Sequence, residues 1–166
     1  MNPSIVVPVV LAALTRSGRI MLLKRRNEPF RGLWGMPGGK VKAGEFATSA
    51  LEREVREETG LGIETSEFLG IVSELITEDD RPALSQLISL FRVRPSGEPA
   101  ASAEGGLRWF PLLSLDDFRP EIIPSDYAMI GEMLMGGKHG AYACRVRRSE
   151  GRYSLESFVQ TAPAIT

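Results

Sequence analysis

Apolar residues fall into short β-type runs at the start of the chain, give way to a helical repeat, and return to β-type runs near the end. Two such runs, Ile5 to Thr15 and Arg19 to Lys24, flank "RSGR", where Ser17-Gly18 supplies the turn chemistry of a β-hairpin. The stretch "RRNEPFRGLWGMPGG" is dense in Gly and Pro, which predicts an irregular connection with a short strand at Leu33 to Met36. Good helix formers fill Ala47 to Thr59, and Gly60 followed by Leu61 matches the glycine-then-apolar pattern of a helix C-cap. "IETSEFLGIVSEL" and "LSQLISLFRVR" read as two strands separated by a polar, Pro-containing loop at Thr77 to Ala83, and "LRWFPL" as a further short one. Helical spacing returns at Leu112 to Phe118 and at Ser125 to Leu134, the second with Ser125 as N-cap and Gly136-Gly137 as its end. "AYACRVRRSEGRYSLESFV" alternates on both sides of a Ser-Glu-Gly turn, predicting a terminal hairpin, and "TAPAIT" reads as a loose tail.

Interspersed strands and helices with local hairpins predict an α+β, or mixed α/β, fold with a mixed sheet between helices. The 166 residues suit one domain, with residues 1–138 as its body, 139–160 as a β-hairpin extension and 161–166 as the tail. Lys and Arg number 20 against 21 Asp and Glu, so no overall field draws in a nucleic-acid polymer or an anionic membrane. A single cysteine, Cys144, excludes an intramolecular disulfide and a Cys-rich zinc site and fits a reducing, cytoplasmic setting. The apolar start "SIVVPVVLAAL" lacks a basic leader, contains Pro8 and falls short of the ~20 residues of a spanning helix.

The candidate chemistry lies in "GGKVKAGEFATSALEREVREETGL", Gly38 to Leu61. With Glu54 at zero, Glu57 falls at about −60° and Glu58 at about +40° around the helix, so three carboxylates share one face. Ala47 and Ala50 sit on that face too, small enough to admit the loop containing Gly38 and Gly39. Leu51 and Val55 form an apolar pair on the adjoining flank, while Ser49, Glu52 and Arg56 point to solvent. Charged helix faces are ordinarily solvated surface, with ion pairs such as Glu52 to Arg56. Three clustered like charges call for a counter-charge, and a divalent cation such as Mg²⁺ or Mn²⁺ is the natural one for carboxylate oxygens. No twelve-residue Asp-rich loop suggests calcium.

Gly39, five residues, Glu45, seven residues, then Arg53-Glu54-Val55-Arg56-Glu57-Glu58-Thr59-Gly60-Leu61 resembles, at every position, the box G-x5-E-x7-R-E-U-x-E-E-x-G-U of the Nudix hydrolases, U being aliphatic. Chance occurrence of such a pattern is on the order of one in ten million. The resemblance extends from Val6 to about Gly136 and implies a Nudix-like α/β/α sandwich. It also implies hydrolysis of a nucleoside diphosphate linked to another moiety, with Mg²⁺ as cofactor and Mn²⁺ as a substitute. By position, Gly39, Glu54, Glu57 and Glu58 are then metal ligands, and Arg53 orients the carboxylates, notably through Glu45. Glu57 or Glu54 is the general base. A further acidic ligand is expected from a later loop, with Glu104 in "SAEGGLRWF" as the candidate and Glu74, Glu78 and Asp79 as competitors. An intact box argues against a non-catalytic nucleotide-binding module.

On the substrate side Arg25, Arg26 and Arg31 precede the box, and guanidinium forks suit phosphate oxygens; Arg26, Arg31 and Gly38 are taken as substrate contacts. Phe30 and Trp34 have the character of core aromatics or of a stacking surface. ADP-ribose and nucleotide-sugar enzymes of the family often carry a proline shortly after the box. Val72 to Asp80 has none and Pro82 comes late, so the resemblance leans to a mutator-type nucleoside triphosphate pyrophosphohydrolase giving NMP and PPi. The expected partner is a small-molecule nucleotide, with a homodimer as one use of the terminal hairpin and extension of the chain's own sheet as the other.

Overall fold

The computed structural model describes residues 5–100 and 106–165. In order these form β1 (Val6–Arg16), β2 (Arg19–Lys24), β3 (Trp34–Gly35), β4 (Gly38–Lys40), α1 (Ala47–Thr59), β5 (Gly62–Glu78), β6 (Arg81–Ser96) and β7 (Leu107–Pro111). A 3-10 segment (Leu112–Glu121), α2 (Pro124–Met129), a π-helical turn (Ile130–Met135), β8 (Gly140–Ser149) and β9 (Arg152–Pro163) complete the chain.

Three hairpins share one turn chemistry. Ser17-Gly18, Asp79-Asp80 and Glu150-Gly151 all have positive φ, between 49° and 75°, the conformation whose twist matches that of the strands it joins. The second replaces the loop expected at Thr77 to Ala83: strand pairing continues to Glu78 and Arg81, and Pro82 lies in β6 opposite Thr77. Pro82 costs no ladder bond toward β1, because β1 joins β6 only from Ser85 onward.

The strands run in the order β3-β2-β1-β6-β5-β8-β9, with β4 added on β1 and β7 on β2. β1 is parallel to β6 and β5 to β8, the other pairs being antiparallel. This is the mixed sheet of an α+β fold. One face is closed by α1, whose Ala50, Leu51 and Val55 bury against Val10, Ala12, Leu14, Met21, Phe91 and Val93. Burying a leucine or valine stabilises by about 1.5–3 kcal/mol each, so the apolar pair seen in the sequence does anchor the helix. The other face is closed by the 3-10 segment, α2 and the π turn, through Leu115, Ile122, Ile123, Met129, Ile130 and Met133.

Several elements differ from the sequence reading. The first late helix is a 3-10 segment, broken at Ser114 and containing Pro120, which lacks the N–H that an α-helix would use. Ser125 does not cap α2: the helix starts at Pro124 after Ile123, with no side-chain cap among the described residues, and Ser125 is buried beside Glu74. Thr161 to Pro163 continue β9 opposite Ala141 and Gly140 instead of fraying as a tail. The terminal hairpin extends the chain's own sheet, and its inner residues Tyr142, Cys144 and Val146 are buried in the same core as α2. Among the described residues no helix is long and apolar enough to cross a membrane.

The hairpin joins where two backbones nearly touch. Gly70 opposes Gly140 in the β5–β8 ladder. With φ at 149°, a Cβ on Gly70 would lie 2.0 Å from the Gly140 carbonyl oxygen. Gly70→Ala should therefore cost more than about 2 kcal/mol, read as a lower urea midpoint by tryptophan fluorescence; an unchanged midpoint would show that the two strands are not held this closely.

Candidate active site

The acidic helix face is built by close approach of β4 to α1. Gly38 pairs with Leu11 of β1, and a Cβ there would fall 2.0 Å from the Val10 carbonyl oxygen. At Gly39 a Cβ would come within 2.6 Å of the Glu54 carboxyl carbon and Oε1. The pair is glycine because the chain passes between a strand and a carboxylate with no room for a side chain. Glu58, buried at the far end of the face, accepts the Gly38 N–H on Oε2 at 2.7 Å and fastens the helix to the strand. Ala50 lies in the apolar cluster beneath the helix and Ala47 packs against it.

Arg53 is the hub. Its Nε–H donates to Glu45 Oε1 at 2.7 Å and its Nη2 to Glu45 Oε2 at 3.0 Å and the Lys40 carbonyl at 3.1 Å. Its Nη1 donates to Glu54 Oε1 at 2.6 Å and Glu57 Oε2 at 3.3 Å. Every nitrogen of the planar fork is in use, a geometry an ammonium cannot reproduce. Glu45 reaches this position through a tight turn in which its Oε2 also accepts the Lys42 N–H at 3.0 Å. The hydrogen bonds from Arg53 and then from the Lys42 N–H hold the Glu45 carboxyl down to about 2. Glu45 is therefore ionised at neutral pH, and its ion pair with Arg53 is lost only as pH falls toward that value. The same carboxylates push Arg53 further up.

Among the described residues no three His, Cys, Asp or Glu side chains already converge as a metal-binding group: Glu54 and Glu57 face Arg53, and Glu58 faces Gly38. The donor set nevertheless fits a hard divalent cation. It is all oxygen, it lies on one helical face, and the glycine contact holds backbone against the Glu54 carboxylate. Glu57, with its side chain 55% exposed, is the carboxylate most open to solvent of those on Arg53.

The remaining candidates are dispersed. Glu104 lies outside the described residues. Glu74 is buried on the sheet face opposite α1, Glu78 pairs with Arg148 at 3.2 Å, and Asp79 sits in the β5–β6 turn. Arg25 turns back to the Pro29 carbonyl at 2.8 Å. Arg26 is exposed, and Arg31 lines a cleft against the terminal hairpin. Phe30 and Trp34 are core residues, tilted against Tyr153 and edge-on to Phe110 respectively.

Sequence reasoning missed a buried acid pair. Asp126 Oδ2 accepts the Met36 N–H at 2.7 Å, which ties α2 to the strand that leads into the glycine pair. Ser125, next to it, hydrogen-bonds Glu74, whose Oε1 is buried without a partner among the described residues. Burial pushes Asp126 from an ordinary 3.8 up to about 7; the Met36 bond opposes this, and neighbouring Glu74 adds to it. Glu74 is raised too, by burial against the Ser125 bond, and burial with these acids raises the Cys144 thiol. No spacing in the sequence announces a pair assembled from β5 and α2.

Against known proteins, the NUDIX domain model matches residues 6–130. A putative 8-oxo-dGTP diphosphatase 2 of Mycobacterium tuberculosis is 32% identical over 127 residues, 75% of this chain and 86% of that protein. An ADP-ribose pyrophosphatase of Methanocaldococcus jannaschii is 34% identical over 90 residues, 54% of this chain and about half, 49%, of that protein. The crystal structure of a mutator MutT protein from Bacillus halodurans superposes with a TM-score of 0.75 at 24% identity, covering 93% of this chain and 97% of that one. The box, its clamp and the sheet around it thus place the chain in the Nudix family, as a hydrolase.

The buried pair makes stability depend on pH. Asp126, raised by burial, stays protonated in the folded protein while the unfolded chain ionises, so its contribution to stability is fullest below about 4, falls up to about 7 and is level beyond. Asp126→Asn keeps the acceptor for Met36 and removes the ionisation. Relative to wild type it should gain about 2–4 kcal/mol between pH 4 and pH 8 in urea unfolding; parallel pH curves for the two proteins would sink this reading.

Proposed function

We propose that this chain hydrolyses the pyrophosphate linkage of a nucleoside diphosphate linked to another moiety, with Mg²⁺ as cofactor and Mn²⁺ as a working substitute. A nucleoside or deoxynucleoside triphosphate, cut to NMP and PPi, is the substrate favoured. The observation that carries this is the Arg53 clamp, which holds Glu45, Glu54 and Glu57 in one charged cluster against Gly39. Nudix hydrolases in general use divalent metals.

Glu54, Glu57 and Glu58 with the Gly39 carbonyl are the groups to hold the ion, and Glu104 is the candidate from the later loop. The bound ion supplies charge neutralisation of phosphate oxygens and a lowered pKa for water. Glu57 or Glu54 takes a proton from the attacking water. The water oxygen forms a bond to phosphorus, the bridging P–O bond breaks, and pyrophosphate leaves with the electron pair. Arg53 keeps Glu45 ionised and aims the carboxylates, and Arg26 is the candidate to meet phosphate oxygens. The Gly38 N–H is held by Glu58, so its share in binding substrate would require that bond to be exchanged.

The relative named for 8-oxo-dGTP is matched over most of its length, and the one named for ADP-ribose over about half. The first supports a triphosphate substrate, and the second keeps ADP-ribose as the alternative. A Mg²⁺ assay across nucleoside triphosphates, oxidised guanine nucleotides and ADP-ribose decides between them: NMP and PPi from triphosphates is the expected result, and turnover of ADP-ribose alone would overturn it. EDTA should abolish turnover. Glu57→Gln should lower kcat about a hundredfold or more, and full activity at saturating Mg²⁺ would remove the metal assignment. Arg53→Lys, which keeps charge but loses the fork, should reduce activity or metal affinity about 10- to 100-fold; wild-type values for both would show that charge alone suffices.

A further inference from the structure

The terminal hairpin also walls a cleft. Between β9, the 3-10 segment, the start of α2 and the loop before β3 lies a space of about 560 Å³, within the roughly 300–1,000 Å³ typical of small-molecule sites. Its apolar lining, Leu33, Ile122 and Leu155, belongs to or packs on the core that contains α2. The acidic helix packs on the other core cluster, across the sheet, so this cleft is separate from the carboxylate face of α1.

Three exposed arginines line it: Arg31 from the loop, Arg119 from the 3-10 segment and Arg152 from the hairpin turn. Among the described residues none of the three has an ion pair to a carboxylate. The nearby acids are engaged elsewhere. Glu28 accepts the Tyr153 hydroxyl at 2.8 Å and pairs with Arg148 at 3.3 Å, besides accepting the Arg31 backbone N–H and feeling the Arg31 charge without a salt bridge to it. Asp116 accepts the Tyr127 hydroxyl. Those bonds pin both half-buried tyrosines, which line the cleft with their hydroxyls already satisfied; Tyr153 also packs on Phe30, ring centres 4.4 Å apart, with Arg148 5.6 Å from its ring, so it offers the cleft the part of the ring those neighbours leave open. Arg119 lies over the Tyr127 ring, 4.9 Å from its centre.

Guanidinium forks drawn from three separate segments, none in a salt bridge to a carboxylate among the described residues, suit phosphate oxygens, and tied-back aromatic rings beside apolar side chains suit a planar ring. We propose that the cleft between the terminal hairpin and the Leu112–Met129 helical segment is a second, metal-independent site for a nucleoside phosphate. Its phosphate rests on Arg31, Arg119 and Arg152, and its base lies among Tyr127, Tyr153 and Leu155. The cleft's own chemistry supports this site, independently of the hydrolytic assignment across the sheet.

Calorimetric titration of the full chain with GMP in EDTA tests it. Expected is one binding event, retained in Glu57→Gln and weakened about tenfold in Arg152→Ala, because taking one guanidinium away from a phosphate lowers affinity by that order. Arg119→Glu with Arg152→Glu should weaken it about a hundredfold or more. Arg152→Ala alone, at an exposed turn and without an ion-pair partner among the described residues, keeps the test decisive should the double charge reversal loosen the hairpin. Guanosine and inorganic phosphate should each bind about tenfold more weakly than GMP. No uptake of GMP in EDTA, undiminished affinity in both arginine variants, or inorganic phosphate binding as tightly as GMP would each overturn the proposal.

Discussion

Carboxylates crowded together repel, and in this protein the Arg53 guanidinium is what allows three of them to lie side by side. Glu45, Glu54 and Glu57 are drawn from two segments onto one planar fork, and the Lys40 carbonyl takes part as well. A flexible ammonium would balance the charge without fixing the directions. The catalytic reading depends on those directions, because a phosphorus centre is attacked along a defined line. Local charge balance and chemical orientation therefore come from the same side chain.

The rest of the fold keeps that fork in place. Leu51 and Val55 seat α1 on the sheet, and β1 carries β4 beside it. Gly38 and Gly39 let backbone pass where any Cβ would strike the Val10 carbonyl or the Glu54 carboxylate. Glu58 then closes the assembly from the strand side. On the opposite face the buried Asp126 holds Met36, two residues before Gly38, so α2 also helps set where the glycine pair lies. Both layers of the sandwich bear on one short stretch of loop.

What could be read from sequence was what is local in sequence. The box, the bounds of α1 and its Gly60 cap lie within Gly38 to Leu61, and the structure places Ala47–Thr59 as that helix with Gly60 in the left-handed conformation. The Ser17-Gly18 and Glu150-Gly151 turns were legible because their φ demands small or polar residues. Features assembled across long separations were not. Met36 and Asp126 stand 90 residues apart, and nothing in either neighbourhood marks the bond. Ser125 has the chemistry of a cap, and tertiary packing turned it toward Glu74 instead. β4 was hidden because three residues beginning Gly-Gly carry no strand pattern and become a strand only by lying on β1. Glu104 stays an expectation, outside the described residues.

Parallel pairing of β5 with β8 also bears on how the protein is made. Within the region described, β8 leaves the ribosome after β1 to β7 and both flanking helical layers, yet its Tyr142, Cys144 and Val146 complete the core around the buried acids. Until then the outer edge of β5 offers unsatisfied N–H and C=O groups to any strand nearby. The speed with which the β8–β9 hairpin docks therefore sets how long that edge stays open to pairing with another chain.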